Sequence, residues 1–330
     1  MSWANILKRD GDGDAKAEVK RMPVAIQIKE PTRLGLINSK NDCFLHVILQ
    51  VMITIPKFNW DIDHAFCREM MELKEKIYRT DITIFPDKIH AIIEEKYPNY
   101  LKIQQDVMEC YYMLIDMLHE ALKEGVDNEE TKEEEEWMEI GYKSKAVQKR
   151  VYSFHKSPFL CFYGKFCNVI YKKNKISAKS FEPFLFLTLE LTNSVQFALE
   201  QFSIANFKNN ENTYFELLPD ILTIQLSRFY FHKQRGLCKN TKAAEYPNIL
   251  TVPCYSNEKE QLITYRLYAA IYHIGNTIDS GHYTCSLFDI KLGTWLYMDD
   301  TRVSRMVLQD ILKFKRNEAY MLMYVKSTSK

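Results

Sequence analysis

The hydrophobic pattern of the chain changes period once. As far as about residue 122 the apolar residues recur at helical spacings. Beyond about residue 158 they fall in short, alternating β-branched and aromatic runs. From 43 to 52 the chain is apolar on nearly every side, which predicts a helix buried all round. Within 104–122, Met108, Tyr112, Ile115, Leu118 and Leu122 lie three or four apart, the stripe of an amphipathic helix. Later segments, 181–191, 220–231, 265–274, 282–290, 295–300 and 319–325, read as strands. Helices first and strands afterwards predict an α+β fold, not the alternating βαβ order of a parallel sheet. No internal repeat is visible.

Composition narrows the class. The 330 residues are 46% hydrophobic, enough for one large domain or two ordinary ones. The 44 basic residues balance 43 acidic ones, so there is no nucleic-acid footprint. No apolar run approaches the ~20 residues of a membrane helix. Residues 1–30 are largely polar, lack a signal-peptide core and read as a flexible leader. Residues 125–150 are acidic and then basic, which reads as a solvated helix or flexible insertion. The eight cysteines (43, 67, 110, 161, 167, 238, 254 and 285) include no C-x-x-C pair. That spacing does not suit a secreted disulfide framework and points to reduced thiols in the cytosol or nucleus, mostly small buried hydrophobes.

Cys43 stands where a polar, turn-like segment gives way to the apolar helix. Two readings are open: a buried structural residue, or a nucleophile whose thiolate the helix N-terminus favours. A thiol hydrolase also needs an imidazole base, a group to orient it and donors for an oxyanion. The segment 279–300 supplies candidates. His282 follows Ser280 and Gly281 at the start of one strand-like run, and Asp299 lies at the end of the next. Adjacent antiparallel strands of that length bring the two side chains together.

Four separated blocks resemble the ubiquitin-specific proteases (USPs), papain-like thiol hydrolases: GLINSKNDCFLHVILQ (35–50), QQDVMECYYMLIDMLHEAL (104–122), LLPDILTIQLSRF (217–229) and YRLYAAIYHIGNTIDSGHYTCSLFDIKLGTWLYMDDTRV (265–303). The likeness implies a catalytic domain over 31–327, with a helical thumb over about 31–150, shortened β fingers over about 158–216 and an antiparallel β palm. It implies Cys43 as nucleophile, His282 as general base and later acid, Asp299 as its orienter, Asn38 as oxyanion donor and Asp300 as a second acid ordering the site. It implies hydrolysis of the bond after ubiquitin's C-terminal Gly-Gly, with Ser280 and Gly281 in a loop over that tail. Asp106 and Glu109, three apart on one helix face, match positions that hold the tail's arginines. The implied partners are ubiquitin or ubiquitin-conjugated proteins, met by a monomer in cytoplasm or nucleus. The alternatives are a pseudo-enzyme that binds ubiquitin or another partner, and a protease for another ubiquitin-like modifier.

Two departures from the family carry expectations. The cysteine pairs that bind zinc in the fingers are missing at 171–174 and 207–216, so no metal or other cofactor is expected and packing is expected to hold a short fingers region. Lys40, Asn41 and Asp42 stand where the family has Gly-Asn-Thr. Lys40 is thereby expected to carry a costly positive φ, and Asp42 to place a like charge beside the thiolate. His46 reads as a packed core histidine.

Overall fold

Among the described residues, four helices in the first part of the chain build the layer that carries Cys43. The structure, a computed structural model, describes residues 33–56, 58–79, 82–123, 158–172, 175–205, 211–234, 236–256, 259–277 and 280–327. The leader over 1–30 and the insertion over 125–150 lie outside the described residues, as does part of 171–174, of 207–216 and of the loop before Gly281. Helix α1 (Cys43–Ile53) is buried at all eleven positions. Its Val and Ile residues are indifferent helix formers, so tertiary burial and not propensity holds it. Helices α2 (Ala65–Lys76) and α3 (Asp87–Lys96) are amphipathic and bury Phe66, Cys67, Met70 and Leu73, and Ile89, His90 and Ile93.

Helix α4 (Val107–Lys123) forms within the expected segment, but its buried face is wider than the expected stripe. Tyr111 and Leu114 are fully buried, whereas Tyr112 is 52% exposed. The reason is a second neighbour. Besides packing on α1, the helix presents Tyr111 to Phe162 edge-on and to Thr223 through a 3.1 Å hydrogen bond.

Among the described residues the strands form two sheets and a hairpin. β1 (Gly164–Lys172), β2 (Lys175–Phe184), β3 (Leu187–Glu190) and, after helix α5 (Val195–Ala205), β4 (Glu211–Leu217) open the series. β5 (Ile221–Ser227), β6 (Phe229–His232), β7 (Gly236–Lys239), β8 (Ile249–Ser256) and β9 (Lys259–Ile274) follow. β10 (His282–Asp289), β11 (Thr294–Asp299), β12 (Arg302–Met306), a short helix α6 (Leu308–Ile311) and β13 (Ala319–Lys326) complete it. The small sheet runs β2-β1-β4 and is antiparallel. Phe166, Phe184, Phe202 and Phe215 cluster on it, the closest rings 4.4 Å apart. The large sheet runs β12-β11-β10-β9-β13-β5-β3, with β8 beside the long β9. All its pairings are antiparallel except β3 with β5. β6 and β7 form a separate hairpin.

Two of the expected strands divide. The run 181–191 belongs to β2 up to Phe184 and to β3 from Leu187, in different sheets. The run 220–231 breaks at Arg228. That guanidinium is fully buried and donates to the carbonyls of Ala319, Asn240, Lys242 and Arg316.

The segment ahead of α1 is tied to the large sheet. Arg33 forms a fully buried ion pair with Asp289 at 3.0 Å and donates to the Gln50 carbonyl at 2.6 Å. Leu36 N–H donates to the Asp300 carbonyl at 3.1 Å. A Cβ on Gly35 would lie 2.0 Å from that same carbonyl oxygen, so the close approach requires glycine there.

Candidate active site

Cys43 is the first residue of α1 and 2% exposed. Its backbone N–H is one of the unpaired donors at the head of a helix, where the dipole favours negative charge. The turn before it is set by Asn41, at φ 61. That corrects the expectation for Lys40: the left-handed residue is the asparagine, a residue type that tolerates this region. Asp42 is also not what its position alone suggested. It is fully buried, and burial pushes its carboxyl up toward the neutral form, with Lys40 opposing.

His282 opens β10 and Asp299 closes β11. The β10–β11 register pairs Cys285 with Met298, which places Asp299 diagonally across from His282 on the same face. Their separation is 2.8 Å, from His282 Nε2 to Asp299 Oδ1. The Cys43 side chain stands within hydrogen-bonding reach of the same imidazole. The imidazole is raised from 6.5 to about 9: the Cys43 hydrogen bond contributes most, Asp299 adds to it and burial opposes. It therefore favours the imidazolium at neutral pH, set between the Cys43 sulfur and the Asp299 carboxylate.

Asp300 occupies a left-handed turn position, φ 52, between β11 and β12. Its Oδ2 lies 3.9 Å from His282 Nε2 and accepts from Asn38 Nδ2 at 3.3 Å. Burial raises its carboxyl, with His282 opposing. Asn38 Oδ1 accepts from the Asp42 N–H at 3.0 Å. Both ends of this amide are thus anchored, and its second N–H is left to point elsewhere. The structure brings Asn38, Cys43, His282, Asp299 and Asp300 together.

It separates Asp106 from Glu109. Asp106 is 8% exposed and caps α4: Oδ1 accepts from Met108 N–H at 2.7 Å and Glu109 N–H at 3.3 Å. Its Oδ2 accepts from Tyr320 Oη at 2.8 Å and Tyr283 Oη at 3.4 Å. The expected shared exposed face fails at Asp106, whose carboxylate is fully occupied, while Glu109 is exposed one turn on.

Gly281 and Ser280 stand in the approach to His282. Ser280 Oγ lies 2.7 Å from Thr277 Oγ1. A Cβ on Gly281 would meet the Ile274 carbonyl at 2.6 Å and His273 Nε2 at 2.7 Å, so glycine is needed for packing on β9. Two positioning residues were not singled out from sequence. The Gln104 amide donates to the Gly281 carbonyl at 3.1 Å and accepts from its N–H at 3.3 Å, bracing the residue before His282. Lys239 donates to the carbonyls of His273 at 2.6 Å and Gly275 at 2.7 Å and fixes the end of β9. Gln104 sat in the quoted 104–122 block. Lys239 had no local signal.

The comparisons point to one family. The family model described as Ubiquitin carboxyl-terminal hydrolase matches residues 34–324. Ubiquitin carboxyl-terminal hydrolase 10-A of Xenopus laevis is 30% identical over 229 residues, 62% of this chain and 29% of that protein. The probable ubiquitin carboxyl-terminal hydrolase 3 of Schizosaccharomyces pombe is 25% identical over 350 residues, 84% of this chain and 68% of that protein. The chain thus spans less than a third of the length of the Xenopus relative. Among solved structures, the SAGA Ubp8/Sgf11/Sus1/Sgf73 DUB module bound to ubiquitin aldehyde superposes with a TM-score of 0.71 at 19% identity, covering 94% of this chain and 72% of that one. That likeness carries the α+β fold.

Proposed function

The chain belongs to the ubiquitin carboxyl-terminal hydrolase family, and from that membership we propose that it is a thiol-dependent deubiquitinase, hydrolysing the peptide or isopeptide bond after ubiquitin's C-terminal glycine. The observation that carries the reading is the line Cys43–His282–Asp299, with the imidazole raised to about 9 chiefly by the thiol.

Each residue has a step. The Cys43 thiolate attacks the glycine carbonyl carbon, and the carbonyl electrons move to oxygen. That oxyanion is met by the Cys43 N–H and by the free N–H of Asn38. His282 gives its proton to the departing amine nitrogen, and a thioester to Cys43 remains. Water then attacks the thioester with His282 taking its proton, and collapse expels the Cys43 thiolate, which releases the ubiquitin carboxylate with its proton lost to solvent and restores the thiolate beside a protonated His282. Asp299 holds the imidazole in the required orientation, and Asp300 holds both the imidazole and Asn38. Glu109 is the acid open to an arginine of the substrate tail, while Asp106 acts by positioning α4. Residues 43–123 serve as the thumb, the small sheet as the fingers and the large sheet as the palm.

Among the described residues no helix is long and apolar enough to cross a membrane. Cytoplasm or nucleus is the compartment this reading assigns. The Asn41 φ, and the burial that pushes the Asp42 carboxyl up against the opposing Lys40 charge, both favour the enzyme over the pseudo-enzyme reading, because each lessens an obstacle to a working cysteine turn. The test is hydrolysis of ubiquitin bearing a fluorogenic C-terminal amide. Turnover lost in Cys43→Ala and in His282→Ala supports the reading. Absence of turnover in the unaltered protein, with ubiquitin still bound, overturns it.

A further inference from the structure

Among the described residues two clusters bring three candidate metal ligands within 4.8 Å of one another. One is His282, Asp299 and Asp300, already accounted for. The other is Asp42, His46 and His90, all buried, directly behind the cysteine turn. The expectation of no metal rested on the missing cysteine pairs at 171–174 and 207–216, and an ion held here would run against it.

We propose that Asp42, His46 and His90 form a binding site for a zinc-class divalent cation, which ties the first turn of α1 to α3. Asp42 and His46 are four apart and share one face at the head of α1. His90 comes from α3. His46 Nε2 and His90 Nε2 are 3.2 Å apart, and His90 Nδ1 is 3.6 Å from Asp42 Oδ2. Bonds of about 2.0–2.2 Å at tetrahedral angles put neighbouring ligand atoms about 3.4 Å apart; the two Nε2 atoms meet that spacing, and one ligand atom from each of the three residues lies within 4.8 Å of the others, so a small closure of Asp42 completes the set.

The two Nε2 atoms face each other, but the rest of the cluster is poorly satisfied. Both Asp42 carboxylate oxygens and His46 Nδ1 are buried without a hydrogen-bond partner. A buried carboxylate with no donor is costly, and a cation removes that cost. Two imidazoles and one carboxylate suit zinc and its neighbours better than calcium or magnesium. The nearby charges are mixed. Lys40 disfavours a cation, while Asp87 acts on His90 in the opposite sense. His90 also lines an open groove with Lys40, Asp87 and Glu94, which gives an ion a route in. Three protein ligands leave a fourth position for water.

The proposal stands independently of the hydrolase reading, and binding itself is the readout. Chelator-treated protein is titrated with cobalt(II), followed by visible absorption, and separately with zinc, followed by Tm. One equivalent of cobalt is expected to give the d–d bands of a tetrahedral site, and zinc to raise Tm. In His46→Asn and in His90→Asn the cobalt affinity falls by at least about 10-fold, while Cys43→Ala retains it. In the unaltered protein, zinc shifts the imidazole resonances of His46 and His90 and leaves those of His282 in place. This readout needs no variant to fold. Absence of both the cobalt bands and the zinc-dependent Tm rise overturns the site. So does binding that survives both histidine substitutions but disappears in Cys43→Ala, because the ion would then sit at the catalytic cluster.

Discussion

Asn38 Nδ2 donates to Asp300 Oδ2 at 3.3 Å, across 262 residues of sequence. One carboxylate therefore orients the amide that meets the oxyanion and also stands 3.9 Å from the imidazole. Removing the amide and removing the carboxylate should differ in kind. Asn38→Ala loses one oxyanion donor and should lower kcat about 10²–10³-fold with KM little changed. Asp300→Ala leaves the amide present but unanchored, so its kcat should fall less. Steady-state kinetics on a ubiquitin C-terminal amide separate the two. An Asp300→Ala effect that equals or exceeds that of Asn38→Ala contradicts the assigned roles.

The His282 imidazole is expected to titrate far above an ordinary histidine, and the thiol is the main cause. Its pKa is raised in the folded state, so the stability it contributes is fully present below about 6.5. That contribution is lost as pH rises through about 9. Cys43→Ala removes the largest contribution, so the imidazole should then titrate lower, and stability should fall less between those two pH values. An NMR titration of the His282 ring in both proteins reads this directly. The same midpoint near 9 without the thiol would mean that Asp299 alone holds the proton.

Asp106 and Glu109 should now part company. Asp106→Ala removes a helix cap worth about 1 kcal/mol and leaves buried tyrosine hydroxyls without an acceptor at about 1–3 kcal/mol. A marked drop in Tm should follow. Glu109→Ala should leave Tm nearly unchanged and raise the Kd for ubiquitin up to about 5-fold, as for an exposed charge pair. Calorimetric scans and ubiquitin titrations test the pair. A thermally silent Asp106→Ala would contradict the capping role.

The Arg33–Asp289 ion pair anchors the segment that leads to Asn38. Asp289 also accepts from Tyr78 Oη at 2.9 Å and from the Leu292 N–H at 3.0 Å. Asp289→Ala leaves a guanidinium buried and uncompensated, and should cost about 3–5 kcal/mol in urea unfolding. Arg33→Met combined with Asp289→Leu should recover much of that loss. A single-variant cost under about 1 kcal/mol would contradict the burial of the pair.

How much of this was legible in the sequence depended on distance along the chain. The α+β order, the buried α1 and the pairing of His282 with Asp299 follow from local periodicity and one hairpin. The occupied carboxylate of Asp106 does not, because Tyr283 and Tyr320 lie 177 and 214 residues away. Tyr112 was misplaced because the stripe assumed one neighbour for α4 and the helix has two. Asn41 took the left-handed φ that was assigned to Lys40, one residue off, as turn conformation is fixed by closure and not by residue type alone. His46 read as a core histidine and is 1% exposed in α1, but its contact with His90, 44 residues later, had no pattern to announce it.

The central claim is that Cys43 is a nucleophile served by His282 and aimed at the C-terminus of ubiquitin. Ubiquitin carrying a thiol-reactive group in place of its last carboxylate tests it most directly. Intact-mass and peptide mass spectrometry should find one adduct, on Cys43 and on none of the other seven cysteines. Its formation should be slowed strongly in His282→Ala. Unmodified Cys43 under these conditions, or an adduct on another cysteine, would contradict the account.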